Sequence, residues 1–246
     1  MRHLAALAAA LLACSLSFST RAEDAGSATR PKAVIELFTS QGCSSCVAAD
    51  AYFAELAERT DLVAISMHVD YWDYLGWSDT LGDSSHTERQ REYAEVHGTR
   101  RIYTPQIVVN GVTGVIGSNR ERVEAAIADA SLPVPVTMKH GDGKVVIEVG
   151  AKPLPGKRPT TIRLALLTSE ADVPIDRGEN AGSTIEYYNV VRAMRPIGMW
   201  DGNVVKITLP EHELMQDGVD ACAVLVQEDL PEGPGAILGA AWLGNW

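Results

Sequence analysis

Apolar runs and their spacing lay out the first half of the chain. Ala33 to Phe38 has no helical period and predicts a short strand buried on both faces. Cys46, Ala49, Phe53 and Leu56 then recur at intervals of three and four, one stripe of a helix running to about Arg59. Leu62 to Val69 reads as a second strand, parallel to the first because the helix between them makes a crossover. A long excursion, Asp70 to Tyr103, holds a helix opened by the capping box Ser85-x-x-Glu88 and stopped at Gly98. Ile107 to Val109, Asn110-Gly111 and Thr113 to Ile116 form a hairpin with a two-residue turn. Ser118-x-x-Glu121 caps a last helix whose apolar face is Val123, Ala126, Ile127 and Ala130.

The character changes at Ser131 to Val136, where two prolines close together make a linker. Beyond it come short β-type runs: Val145 to Ile147, Thr161 to Leu167, Ile185 to Val191, Val204 to Leu209, Ala221 to Val226 and Ile237 to Trp242. Turn residues separate them and no helical period intervenes, so a sandwich-like lobe of about seven strands is expected. The division is therefore a first domain over 31–131, with an inserted helical segment at 70–103, and a β domain over 136–246.

The chain has 246 residues and a net charge of −11, which argues against a nucleic-acid partner or an anionic membrane surface. Residues 1–22 read as a signal peptide, with Arg2 and His3 before the apolar run Leu4 to Leu12 and a small-residue cleavage site at Ala22. That run is too short to span a bilayer. A periplasmic or secreted protein is expected, with lipid anchoring through Cys14 as the lesser alternative. Three cysteines then remain, Cys43, Cys46 and Cys222, in a compartment where a thiol pair can become a disulfide. Cys222, inside a β run, reads as a buried inert thiol.

Cys43-Ser-Ser-Cys46 lies between the first strand and the first helix, where unpaired amides and the helix dipole favour a thiolate. Cys43 is the candidate nucleophile, and Cys46, on the apolar stripe, the resolving thiol. As a mere staple the pair is badly placed, since a four-residue loop gains about 2 kcal/mol against about 5 for a hundred-residue one. Thr104-Pro105 opens a hairpin strand antiparallel to the first strand, so it starts at the edge where the cysteines lie. Pro105 either faces Cys43, with Thr104 beside a bound substrate strand, or only marks the junction of loop and strand. A cis bond at this proline is expected. Glu36, a carboxylate in a buried strand, either accepts the Cys46 proton through water or pairs with a cation such as Lys32. Asp70 and Trp72 emerge at the cysteine edge as a substrate wall, or the aromatic residues there pack the inserted helix onto the sheet.

Ile35 to Cys46, His68 to Trp77 and Tyr103 to Gly111 resemble a secreted thioredoxin-like family of unknown function from Gram-negative bacteria, and the resemblance continues through Gly178 to Gly182, Asn189 to Arg192 and Arg195 to Gly198. It implies an α/β thioredoxin-like domain followed by a mostly β C-terminal lobe, with Cys43 and Cys46 in the redox positions and Pro105 in the cis-proline position. Ordinary thioredoxins carry Trp before the first cysteine and Gly-Pro between the two; here Gly42 and Ser44-Ser45 stand there. The function expected is thiol–disulfide exchange on a protein or small thiol substrate, with no cofactor and no metal site assigned. Two alternatives stand beside it: soft-metal binding, in which His68 joins the two cysteines to suit Cu(I), and a non-catalytic binding protein that uses the β lobe.

Overall fold

The computed structural model of the chain describes residues 30–99, 101–153 and 158–244. The expected signal peptide and Cys14 lie outside the described residues. The first half builds β1 (Ala33–Thr39), α1 (Val47–Ala57), β2 (Leu62–His68), α2 (Ser84–Val96), β3 (Gln106–Val109), β4 (Thr113–Ile116) and α3 (Arg120–Asp129). β1 pairs parallel with β2 and antiparallel with β3, and β3 turns back into β4 through Asn110-Gly111. Both turn residues have positive φ, 50° and 70°, as a two-residue hairpin turn of this type requires. Two helix starts differ from the expected capping boxes. Asp83 caps α2 by accepting from the Ser85 amide, and Asn119 caps α3 by accepting from the Arg122 amide. Asp and Asn cap as well as Ser, so the nearby serines are displaced from the role.

The second half contributes β5 (Val136–Gly141), β6 (Lys144–Val149), β7 (Thr160–Pro174), β8 (Thr184–Met199), β9 (Val205–Pro210), β10 (Ala221–Leu230) and β11 (Gly233–Gly244). These strands do not make a lobe of their own. β8 lies along the free edge of β2, and one mixed sheet of eight strands results, in the order β11-β10-β7-β8-β2-β1-β3-β4. The rest, β5-β6-β9, form a separate three-stranded sheet. The expected α/β thioredoxin-like domain followed by a sandwich-like lobe is thereby overturned: the protein is mostly β, with three α-helices among the described residues set against one large sheet. Strand propensity shows that a run will pair, but not with which edge. The junction is held by side chains as much as by the ladder. Ser66 pairs with Val190, its hydroxyl donates to the Tyr188 carbonyl (2.8 Å), and the Asn189 amide donates to the Ala64 carbonyl (2.9 Å).

Alternation along β1 divides the interior. Ile35 and Leu37 face α1 and α3, in a core with Phe53, Leu56, Val123 and Ile127. Val34 and Phe38 face the other way, in a core that also takes Val63, Ile65, Tyr93, Ala223 and Leu225. That second core draws on residues from both sides of Leu132–Val136. Within this stretch Leu132 and Val134 are buried, and the Val134 amide donates to the Leu238 carbonyl (2.8 Å).

Candidate functional site

Cys43 and Cys46 form a disulfide in the turn between β1 and α1, with their Cα atoms 5.4 Å apart. Cys46 is the cap residue of α1, already in helical backbone, and its carbonyl accepts from the Ala49 and Asp50 amides. Cys46 is fully buried, and Cys43 is only 3 % exposed. The covering of Cys43 is what distinguishes the site.

Thr104 and Trp72 form one wall. The Thr104 hydroxyl donates to Cys43 Sγ (3.2 Å) and accepts from Trp72 Nε1 (2.8 Å), so the indole fixes the hydroxyl that faces the sulfur. The Thr104–Pro105 bond is cis, and Pro105 is buried. The backbone of Trp72 approaches closely because residue 42 is glycine: a Cβ there would lie 3.2 Å from Trp72 Cβ. Ser45 Oγ lies 3.3 Å from Cys43 Sγ on the solvent side.

The tip of the β7–β8 hairpin forms the opposite wall. Asn180, 9 % exposed, donates its side-chain amide to the carbonyls of Gln41 (2.9 Å) and Cys43 (3.3 Å). Glu179 accepts from the Ser44 hydroxyl (2.6 Å). Gln41 is held in turn by Trp77 Nε1 (2.8 Å) and by Asp79, which accepts from its amide (2.8 Å). A hairpin of the second half thus clamps the cysteine turn of the first.

Beneath the turn lies a buried polar floor. Asp50, one helical turn after Cys46, accepts from the Thr39 hydroxyl (2.7 Å) through one oxygen, while its other oxygen has no hydrogen-bond partner among the described residues. Burial pushes its carboxyl up to about 7, a rise that the Thr39 hydrogen bond and the neighbouring His68 only partly offset. His68, paired with Thr39 across the β1–β2 ladder, presents Nδ1 to Asp79 (2.9 Å). His68 Nε2 and the Tyr187 hydroxyl are also buried without partners among the described residues, and the two rings meet edge to face at 4.4 Å. Burial alone would raise the Asp79 carboxyl, but hydrogen bonds from His68 and from the Gln41 and Leu81 amides hold it below the usual range.

Among the predicted site residues, Cys43, Cys46, Thr104, Pro105 and Trp72 come together. Two others go elsewhere. Glu36 lies on the opposite face of β1 from α1, where its carboxylate accepts from Arg89 Nε (2.7 Å) and from the Tyr93 hydroxyl (2.5 Å). Gln227 of β10 closes the network by bonding both Arg89 and Tyr93 (2.9 and 2.8 Å). Strand parity puts Glu36 on the wrong face to reach Cys46, and its cation is Arg89 rather than Lys32. Asp70 accepts from the Thr87 hydroxyl (2.6 Å) and so ties the loop to α2. Cys222 is fully buried, and burial pushes its thiol up to about 12. The residues that sequence reasoning did not assign to the site are Asp50, Asp79 and Asn180, the last within the Gly178 to Gly182 motif. Asp50 carried a signal, an acid four positions after Cys46 on an otherwise apolar stripe.

The family described as "Protein of unknown function (DUF1223)" matches residues 34–227, a span that holds the whole site. The chain belongs to this DUF1223 family. A crystal structure of protein AGR_C_4864 from Agrobacterium tumefaciens is similar at 35 % identity, covering 87 % of this chain and 94 % of that one, with a TM-score of 0.77. HBP35 of Porphyromonas gingivalis shares the fold alone: 15 % identity, 88 % and 76 % coverage, TM-score 0.61. No curated protein matches the chain. The DUF1223 description carries no activity.

Proposed function

We propose that the protein carries out thiol–disulfide exchange through Cys43 and Cys46. The observation that carries this reading is the hydrogen bond from Thr104 to Cys43 Sγ in the turn before α1. In the reduced protein that hydroxyl would stabilise a thiolate on Cys43. The Cys43 thiolate attacks a substrate disulfide, forms a mixed disulfide and releases one substrate thiolate. Cys46 then gives its proton to Asp50, attacks the Cys43 sulfur and releases the second substrate thiolate. The substrate gains two electrons, and Cys43 and Cys46 return to the disulfide; the reverse sequence oxidises a dithiol. Asp50 suits the proton step because burial holds its carboxyl near neutral pH, where it can both take and return a proton.

The substrate class is a protein or small thiol, and the setting an exported one where such a pair cycles. No helix among the described residues is long and apolar enough to cross a membrane. Equilibration with glutathione buffers, followed by alkylation of each cysteine, tests the reading. Cys43 and Cys46 should convert together at one potential, with Cys43 alkylated well ahead of Cys46 and Cys222 in the reduced protein. Equal, slow alkylation of all three would rule out the nucleophile assignment.

A further inference from the structure

Next to the disulfide, α1 and the β7–β8 hairpin border an open cavity of about 400 Å³. Its helix side is Val47, Ala51 and Ala54, with Asp50 as the buried floor; Asp172 and Glu186 stand on the hairpin side. Val47 directly follows Cys46, so the cavity opens on the first turn of the helix that carries the pair.

Three features of this cavity point to one kind of occupant. The wall is smooth and aliphatic, because the two alanines leave room and Val47 is 40 % exposed. The rim is negatively charged: Asp172 and Glu186, with Glu170 beside them, bring carboxylate oxygens within 4.8 Å of one another. None of the three forms a salt bridge among the described residues. Their field is felt locally, since the Tyr188 hydroxyl is held above its ordinary range by its hydrogen bond to Glu186 and by the charges of Glu170 and Asp172. At the floor, an Asp50 oxygen is buried without a partner among the described residues, on a residue 4 % exposed. An aliphatic stem with a cationic head suits wall and rim together, above an acidic floor. The net charge of −11 would draw a basic chain toward the protein before contact.

We propose that this cavity is a subsite for a lysine or arginine side chain of the substrate polypeptide, near the cysteine that Cys43 engages. It rests on the exchange reading and gives that reading a substrate class: disulfides flanked by basic residues. The aliphatic stem lies along Val47, Ala51 and Ala54, and the cationic head is held by the rim carboxylates, above Asp50.

Two measurements on the full chain separate the subsite from the chemistry. The oxidised protein is titrated calorimetrically with cysteine-free peptides identical except for a central Arg, Gln or Glu. The Arg peptide should bind about tenfold tighter than the Gln peptide at low salt, a few partly desolvated ion pairs' worth. Asp172→Asn with Glu186→Gln should erase that margin. Equal binding of the Arg and Gln peptides, no binding of either, or a margin that survives the double variant would overturn the subsite. The reduced protein is then offered three matching peptides in which a cysteine pair, joined as a disulfide, flanks the central Arg, Gln or Glu. Faster exchange with the Arg peptide supports both readings, and exchange without preference leaves the chemistry standing and removes the subsite. An Arg margin in binding with no exchange on any peptide keeps the cationic subsite and removes the exchange reading.

Discussion

The Thr104 hydroxyl and the Cys43 sulfur lie 3.2 Å apart across 61 residues of chain, and the indole of Trp72 donates to that hydroxyl as the hydroxyl donates to the sulfur. A hydroxyl so fixed discriminates between thiol and thiolate, because hydrogen bonds to charged groups are worth about 1.5–3 kcal/mol against about 1 for neutral ones.

Thr104→Val keeps the shape and removes the donor. The Cys43 pKa in the reduced protein should rise by about one unit, and its alkylation at neutral pH should slow by up to about tenfold. The rate-versus-pH profile of alkylation measures both. An unshifted profile would mean that the hydroxyl packs against the sulfur without stabilising its charge.

The clamp of Asn180 over the cysteine turn predicts an accessibility effect. Asn180→Ala removes the bonds to the Gln41 and Cys43 carbonyls while leaving β7 and β8 paired. Reduction of the disulfide by a small dithiol should then accelerate several-fold, with little change in the denaturation midpoint, because a surface loop opens at lower cost than the sheet. Unchanged reduction kinetics would show that the hairpin tip does not gate the pair.

How much of this was legible in the sequence depended on the range of the interaction. The order of elements through α3, the parallel β1–β2 pair, the Asn110-Gly111 hairpin and the cysteine turn all follow from local period and turn chemistry, and each was readable. β8 pairing with β2 was not, because its determinants are a serine hydroxyl and an asparagine amide reaching across 122 and 125 residues. The same limit hid the contact of Asn180 with the cysteine turn, though its motif stood out. Glu36 failed for another reason: its burial was foreseeable, but which face of β1 carries the helix was set by tertiary packing, and a change of face changes every partner.

Glu36 should therefore prove structural. Its partners Arg89, Tyr93 and Gln227 bind β1, α2 and β10 into one body, and a buried ion pair that loses one member costs about 3–5 kcal/mol. Glu36→Gln should lower stability by an amount of that order and leave the relative alkylation rates of Cys43 and Cys46 unaltered in the folded protein. Selective loss of Cys46 reactivity would return Glu36 to the thiol chemistry.

Asp50 makes the sharpest pH prediction. Its carboxyl titrates at about 7 in the folded protein against an ordinary 3.8, so between those values the folded state holds a proton that the unfolded chain has released. Its contribution to stability is therefore fully present below about pH 4 and is lost progressively as the pH rises to about 7, on the order of 4 kcal/mol in all. Asn mimics the protonated acid, keeps an oxygen for Thr39 and cannot ionise. Denaturant unfolding of wild type and Asp50→Asn at pH 5 and pH 8 should give curves that diverge, the variant gaining about 2–3 kcal/mol relative to wild type at the higher pH. The variant should also resolve its mixed disulfide more slowly, since no carboxylate remains to take the Cys46 proton. Divergent stability with unchanged resolution would confine Asp50 to a buried acid that titrates, whereas parallel stability curves would mean that water reaches it and that its carboxyl sits at an ordinary value.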